Sequence, residues 1–145
     1  RGYKLSFLQV ITWGNRLALA IVFFWFGFLK IIHLSPAEQL VTHLHRVTIG
    51  SLMPIDKFIV LLGVAECLIG VLWLIPKASK IVFLLFLLHM TTTFLPLLFL
   101  KSETWQGTLT LTLTGQYIVK NLVLVASAAT VLMGYHVKKN TARDQ

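Results

Sequence analysis

The chain has few charged residues and a single cysteine. Charged side chains make up 12 % of its 145 residues, whereas soluble domains carry about 25 %. Cys67 is alone, so neither an internal disulfide nor a C-x-x-C redox pair can form within the chain. These shortages exclude thiol chemistry within the chain and argue against a soluble domain.

The sequence also lacks the motifs of the common reaction chemistries. It contains no Ser/His/Asp arrangement, phosphate-binding loop, metal-ligand set, or flavin or nicotinamide fingerprint. His43 and His45 lie two residues apart and point in different directions on a helix, which makes a poor metal pair. Haem would need two deep histidines on facing helices, and only His89 lies deep in an apolar segment. We therefore expect no enzyme activity in the chain on its own, no metal site and no resident cofactor.

Acidic residues are scarce relative to basic ones. Five Asp and Glu face thirteen Lys and Arg, and the net charge is +8. Nucleic-acid binders gather basic residues on one solvated face with a recognisable motif. Here the basic residues flank apolar segments instead, so we expect no nucleic-acid partner.

What the sequence has in abundance is apolar residues, at 57 % of the chain and a mean hydropathy of +0.81. A membrane-spanning helix needs about 20 mostly apolar residues, and four segments qualify. We predict an all-α integral membrane four-helix bundle that forms one domain over residues 1–145. No cleavable signal peptide is visible, so the first span is expected to direct its own insertion. The predicted spans are about 13–33, 55–75, 79–100 and 117–135.

The connections differ in length and character. Between the first two spans, Ser35 to Glu38 has the pattern of a capping box with proline at the first helical position. It introduces a short amphipathic helix, about 36–49, that we expect to lie in the membrane interface. The turn at Pro76 is so short that the second and third spans must be antiparallel neighbours. The outer loop, 101–116, contains alternating Thr and Leu, which predicts an extended segment with one face buried.

Basic residues near the ends of the spans predict the orientation. One side holds Arg1, Lys4, Arg16, Lys77, Lys80, Lys138, Lys139 and Arg143. The other side holds only three basic residues, mixed with acidic ones: Arg46, Lys57 and Lys101, with Glu38, Asp56 and Glu103. Both termini are therefore expected in the cytoplasm. Trp13, Trp73 and Tyr135 would mark the inner interface, and Trp105 with Tyr117 the outer one.

Glu66 and His89 lie near the midpoints of the second and third predicted spans. An ionisable group at membrane depth is costly and usually turns inward to find a partner. Gly63, Glu66 and Gly70 share one helix face, and small residues let helices approach closely. This face is therefore expected to meet a neighbouring helix and to carry Glu66 inward. Two interpretations stay open: a proton-handling pair, or a structural ion pair with a packing histidine.

Each of three basic residues could either anchor its helix at the membrane interface or belong to the polar interior. Lys30 and Lys120 each lie roughly 6 Å below the outer end of their helix, at a rise of 1.5 Å per residue. Their side chains could extend to the interface or bend inward toward Glu66 and His89. Arg16 shares a face with Lys30 and is either an interfacial anchor or part of the polar interior.

Three stretches resemble the DoxX-like superfamily of small four-span membrane proteins, with the YkgB-type subgroup the most similar. They are RLALAIVFFWFGFLK from Arg16 to Lys30, GVAECLIG from Gly63 to Gly70, and GQYIVKNL from Gly115 to Leu122. The likeness covers nearly the whole chain. It implies a bacterial inner-membrane bundle, linked in some relatives to quinone-coupled oxidation of sulfur compounds and in others to oxidative stress. The third motif adds Gln116 and Asn121 to the candidate site.

These observations predict an accessory inner-membrane subunit of a redox system whose polar pocket binds a quinone or similar amphiphile. Lys30 and Lys120 would contact the head group, while Glu66 and His89 handle protons. A partner would have to carry the redox centre. One alternative is a non-catalytic subunit that stabilises a larger complex of membrane proteins or a homo-oligomer. Another is a small transporter or proton pathway, against which four spans without an inverted repeat argue.

Overall fold

The computed structural model of the protein describes residues 2–50 and 52–144, so Arg1 lies outside the described residues. The fold is almost wholly helical, which confirms the all-α class; the four-span bundle stays a prediction. The elements in chain order are α1 Gly2–Ile31, α2 Glu38–Thr48, α3 Ile55–Trp73, a 3-10 turn Pro76–Ala78, α4 Ser79–Phe94, α5 Pro96–Phe99, α6 Lys101–Thr104, β1 Trp105–Gly107, β2 Thr110–Leu111, α7 Leu113–Val119 and α8 Asn121–Arg143.

Three helical stretches are long and apolar enough to cross a membrane: Phe7–Ile31, Pro76–Phe99 and Leu113–Arg143. They contain most of the first, third and fourth predicted spans. The second predicted span forms α3, whose nineteen residues are also apolar but include Asp56, Lys57 and Glu66. By length and composition α3 is not among the three, so its crossing of the membrane stays a prediction.

Residues from four helices form the apolar core. The most extensive helix contact joins α1 to α3, and α8 packs against both α1 and α4. Phe23, Trp73 and Phe86 meet in edge-to-face arrangements, with ring centroids 5.5 and 5.8 Å apart. Trp73 is fully buried in this core, so its side chain does not face lipid as a residue of an aromatic belt would; its depth at the inner interface stays a prediction. Large apolar side chains such as Leu84 and Leu88 point outward instead, as lipid contact would require.

The end of α1 turns sharply at His33. Its backbone has φ of 58°, and Leu34 N–H donates to the Leu29 carbonyl at 2.8 Å while His33 N–H donates to Lys30. This is a Schellman motif, in which a left-handed residue allows the last carbonyls to find donors. Glycine usually takes this position, and here histidine does. The turn leads the chain away from α1 toward α2.

The short helix α2 begins at Glu38, two residues later than its predicted start. Ser35 Oγ accepts from Ala37 N–H at 3.2 Å, so the serine closes a tight local turn before the helix. The Glu38 side chain contacts His33 Nδ1 at 3.3 Å. The predicted capping box with Pro36 as first helical residue is therefore wrong in register. α2 contacts α3 and α5, and its interfacial position is untested.

The third predicted span is interrupted near its C-terminal end. α4 ends at Phe94, and α5 begins at Pro96. Proline has no backbone N–H and disfavours a continuous helical ladder. The hydroxyls of Thr92 and Thr93 both donate to the His89 carbonyl, at 2.6 and 3.0 Å. The two threonine hydroxyls therefore share one backbone carbonyl near the C-terminal end of α4.

The connection over residues 101–116, which we predicted as an outer loop, is more structured than a loop. α6 leads into an antiparallel hairpin of β1 and β2, and Leu109 at its tip is 91 % exposed with φ of 58°. Thr112 caps α7 by accepting from Gly115 N–H at 3.1 Å, so Leu113 and Thr114 are helical. The alternating Thr and Leu residues predicted one extended segment with a buried face; this is wrong, because a turn and a helix start within it.

The last span is also divided. α7 ends at Val119 and α8 begins at Asn121, with Lys120 between them. α8 continues to Arg143, eight residues beyond the predicted end of the span at residue 135. The additional helical turns carry Lys138, Lys139 and Arg143, so they extend the basic end of the molecule.

Candidate functional site

A three-residue polar cluster lies between α1, α3 and α4. Lys30 Nζ donates to Glu66 Oε2 at 2.8 Å, and His89 Nε2 lies 3.0 Å from Glu66 Oε1. Each carboxylate oxygen therefore has its own basic partner. Lys30 and Glu66 are buried, and the His89 side chain is 11 % exposed. Of the two predicted lysines, the structure brings only Lys30 to the carboxylate.

Glycines on the facing helices make this contact possible. A Cβ on Gly63 would lie 2.6 Å from the Gly27 carbonyl oxygen, and a Cβ on Gly70 would lie 2.9 Å from the Ala20 carbonyl oxygen. α1 and α3 therefore approach with almost no side chain between their backbones. The two helices run antiparallel here, since Gly27 meets Gly63 and Ala20 meets Gly70. Helix side chains tilt toward the N-terminus of their own helix, so Lys30 and Glu66 lean toward each other across the crossing. The expected meeting of this α3 face with a neighbour is confirmed.

His89 reaches the cluster from α4. Its ring packs edge-on against Phe23 at a centroid distance of 5.7 Å, which orients the imidazole toward Glu66. Nδ1 makes no hydrogen bond to any described residue, while Nε2 is engaged with the carboxylate. The histidine thus has one nitrogen committed to the cluster and one available to another group.

Arg16 lies near the middle of α1, fourteen residues before Lys30, and is 2 % exposed. Its guanidinium donates to the Trp73 carbonyl at 2.9 Å and to Ser79 Oγ at 2.6 Å. The Trp73 carbonyl is at the C-terminal end of α3, where the helix dipole favours a cation. Ser79 in turn donates to the Pro76 carbonyl at 2.6 Å. Arg16 therefore joins the two helices on either side of the Pro76 turn and is separate from the Glu66 cluster.

The three candidates from the last span lie apart from the cluster. Lys120 is exposed, and its Nζ is 5.4 Å from the centre of the Tyr117 ring. Gln116 is exposed and Asn121 is half-buried. No hydrogen bond or ion pair between described residues joins them to Glu66 or His89. A head group held between Lys30 and Lys120 is thus not supported by their positions.

Two polar contacts escape sequence reasoning because they join residues far apart in the chain. His43 Nδ1 forms a short contact with Glu103, linking α2 to α6. The Ser127 hydroxyl donates to Asn15 Oδ1 at 2.5 Å, linking α8 to α1. Spacing along one helix could not have found either pair, because each depends on which helices are neighbours.

Two hollows of the described surface lie away from the cluster. One, of about 40 Å³, is partly open and lies between α1, the Pro76 turn and α8, beside Arg16. The other is a wide groove beside α2, lined by Ser35, Pro36, Glu38, Gln39, Thr42 and His43. Among the residues that the structure describes, no three His, Cys, Asp or Glu side chains are placed to hold a metal ion.

The chemistry available to the cluster follows from its donors and acceptors. A carboxylate that accepts from lysine and histidine is satisfied without water, so it can remain charged away from solvent. In the tautomer that carries its proton on Nε2, beside Glu66, the His89 Nδ1 is an acceptor when the ring is neutral and a donor when it is protonated. The cluster could therefore exchange a proton with a group at Nδ1.

Comparisons of the chain with protein-family models, curated proteins and solved structures found no match.

Proposed function

We propose that the protein is an accessory inner-membrane subunit of a membrane redox system, and that its Lys30–Glu66–His89 cluster binds and protonates a quinone or similar amphiphile. The observation that carries the proposal is the buried Glu66 carboxylate, held between two basic groups. Ionisable groups at this depth usually have a role in binding or proton transfer.

His89 is the contact point in this proposal. Both Glu66 oxygens are already engaged and Lys30 is buried, so a ligand reaches the cluster through the imidazole. The protonated ring would donate Nδ1–H to a quinone carbonyl, and the neutral ring would accept a hydrogen bond from a quinol hydroxyl. Electrons would come from a partner subunit, because the chain has no redox-cofactor motif.

The proposal includes the topology, the cellular location and the family of the protein. α3 would be the fourth span of a four-helix bundle, α2 would lie in the interface, and both termini would be cytoplasmic in a bacterial inner membrane. The Arg16–Lys30, Gly63–Gly70 and Gly115–Leu122 motifs favour membership of the DoxX-like superfamily. Fold-level likeness alone does not assign a reaction.

A second candidate function is a non-catalytic subunit that stabilises a larger membrane complex. Two observations favour it. Both Glu66 oxygens already have a basic partner within the chain, and the close crossing of α1 and α3 at Gly27 and Gly63 leaves no space between these helices for a ligand. The exposed hairpin tip at Leu109 would be a docking point for other membrane subunits or for another copy of the chain.

Quinone binding by purified variants distinguishes the two functions. The full chain would be reconstituted with a short-chain ubiquinone analogue, and bound quinone per protein would be measured after gel filtration. We expect wild type to retain quinone and both Glu66→Gln and His89→Leu to retain several-fold less. His136→Gln, on the distant part of α8, is the matched histidine control and should behave as wild type.

Unfolding measured on the same samples separates binding from folding. If His89→Leu keeps wild-type stability and loses quinone, the redox proposal gains direct support. If all variants and wild type bind equally little quinone while Glu66→Gln unfolds more readily, the assembly function is the better description.

A further inference from the structure

We propose that the hollow between α1, the Pro76 turn and α8 binds the phosphate of an anionic membrane lipid through Arg16 and Lys138. Both side chains line the hollow, together with Trp13, Tyr135 and Gln9. The site is distinct from the Glu66 cluster and does not depend on its function.

Arg16 is the first reason for this assignment. It is a buried cation whose two acceptors, the Trp73 carbonyl and the Ser79 hydroxyl, are both neutral. A guanidinium has five N–H donors, so three remain after these two bonds. A buried charge is stable only when it is paired or fully hydrogen-bonded, and the planar donor set of arginine suits phosphate.

No Asp or Glu side chain within residues 2–50 and 52–144 supplies the missing negative charge. All five acidic residues lie within the described ranges, and none is within ion-pair distance of Arg16. Glu38, Glu66 and Glu103 are paired with other residues. Asp56 lies in the first turn of α3, at the end far from Arg16, and Asp144 directly follows α8.

The shape and lining of the hollow are the second reason. Its volume is about 40 Å³ and it is partly open, whereas a single water needs only about 10–15 Å³. Phosphate oxygens can therefore enter between Arg16 and Lys138. Trp13 lies with its ring 5.9 Å from the Arg16 guanidinium, and with Tyr135 it provides the aromatic pair typical of the head-group level. Acyl chains would continue along the exposed apolar surface of α1 on the membrane side of Trp13, beside Leu17 and Ile21.

The surrounding charge favours an anion from the same membrane leaflet. The basic end of the molecule adds exposed cations near the hollow: Lys77, Lys80, Lys139 and Arg143. Juxtamembrane basic residues attract anionic lipids over about one Debye length. A phospholipid with net negative charge is therefore preferred over a zwitterionic one.

Lipid retention in native mass spectrometry tests the assignment. The full chain would be equilibrated with equal amounts of phosphatidylglycerol and phosphatidylcholine in mild detergent. We expect wild type to keep phosphatidylglycerol preferentially and Lys138→Gln to keep about fivefold less, the effect of one basic residue at a membrane surface. Lys138→Arg should restore retention. Lys139→Gln removes the same charge from the adjacent, exposed position that does not line the hollow, and should match wild type.

Three results would overturn the proposal. Equal retention of both lipids by wild type would show that no anionic head group is selected. Equal loss in Lys138→Gln and Lys139→Gln would show a general surface charge effect. Displacement of phosphatidylglycerol by millimolar glycerol phosphate as readily as by the lipid itself would show a site for free phosphate esters. Glu66→Gln should leave retention unchanged, so this test is independent of the quinone proposal.

Discussion

At the scale of single residues, Glu66 is the side chain whose surroundings matter most. It is 5 % exposed and is held by Lys30 and His89. Removing one partner of a buried ion pair leaves an uncompensated charge, which costs far more than removing both. The cluster is therefore expected to respond to substitution as a unit.

A double-mutant cycle on Lys30 and Glu66 should reveal this coupling. Lys30→Met is expected to lower the free energy of unfolding by about 3–5 kcal/mol because it leaves the carboxylate with His89 alone. Adding Glu66→Gln should recover part of the loss, with a coupling energy of about 0.5–3 kcal/mol. Chemical unfolding in detergent followed by tryptophan fluorescence would measure both values.

Lys120→Met is the matched control for Lys30→Met. Both lysines lie at or next to an end of an apolar helix, but Lys120 is exposed and contacts only the Tyr117 ring among described aromatic residues. Its replacement should change the unfolding free energy by no more than about 0.5 kcal/mol. Equal costs for the two substitutions, or strictly additive effects in the cycle, would show that Lys30 and Glu66 are not coupled.

At the scale of elements, the crossing of α1 and α3 depends on its glycines. Gly63→Ala would place a methyl group 2.6 Å from the Gly27 carbonyl oxygen. Because the obstacle is backbone, the helices must separate, and we expect a loss of about 1–3 kcal/mol in unfolding free energy. Thermal unfolding in detergent would measure it.

Gly14 provides an internal control for that substitution. It lies in α1, and a methyl group added there would meet no atom of a neighbouring element within 4 Å. Gly14→Ala should therefore stabilise the helix by about 0.5–1 kcal/mol. A Gly63→Ala variant that gained stability as Gly14→Ala does would mean that α1 and α3 are not in close contact.

At the C-terminal end of α1, a substitution is expected to raise the unfolding free energy, whereas Gly63→Ala lowers it. His33 has φ of 58°, a conformation that costs an L-residue about 1–2 kcal/mol and glycine almost nothing. After the greater flexibility of unfolded glycine is subtracted, His33→Gly should raise the unfolding free energy by about 0.5–1 kcal/mol. Differential scanning calorimetry would measure this gain.

Two further variants identify the cause. His33→Ala keeps the strained backbone and removes the exposed contact with Glu38, so it should give no gain. Leu109→Gly relieves the same φ at an exposed hairpin tip and should behave like His33→Gly. A gain from alanine and none from glycine would contradict the backbone explanation.

At the scale of the whole molecule, the membrane crossing of α3 decides the topology. In a Cys67→Ser background, single cysteines at Leu52 and Lys77 would report the two ends of α3, since both positions are exposed. We expect an impermeant maleimide to label Leu52→Cys in intact cells and Lys77→Cys only after permeabilisation. Basic residues at the Pro76 turn favour this orientation.

Leu109→Cys controls for access to the outer surface and should label as Leu52→Cys does. Labelling of Leu52→Cys and Lys77→Cys from the same side would show that α3 does not cross, and labelling of Lys77→Cys alone from outside would invert the predicted orientation.

Much of the helical layout could be predicted from the chain because the signal is local. Runs of apolar residues predicted the regions of α1, α3, α4 and α8. The spacing of Gly63, Glu66 and Gly70 predicted which face of α3 turns inward. Errors occurred where distant contacts or turn chemistry decide: the register of α2 and the hairpin.

Composition and helical periodicity by themselves determined that this is a helical chain with membrane-spanning segments, because hydropathy and side-chain spacing are properties of consecutive residues. Only the tertiary structure decided that Lys30, not Lys120, pairs with Glu66, that Arg16 joins α3 to α4, and that Trp73 is in the core. The physical reason is that hydropathy defines how deep a residue lies along its helix. It carries no information on which helix lies beside which, and partners across an interior are set by that lateral arrangement.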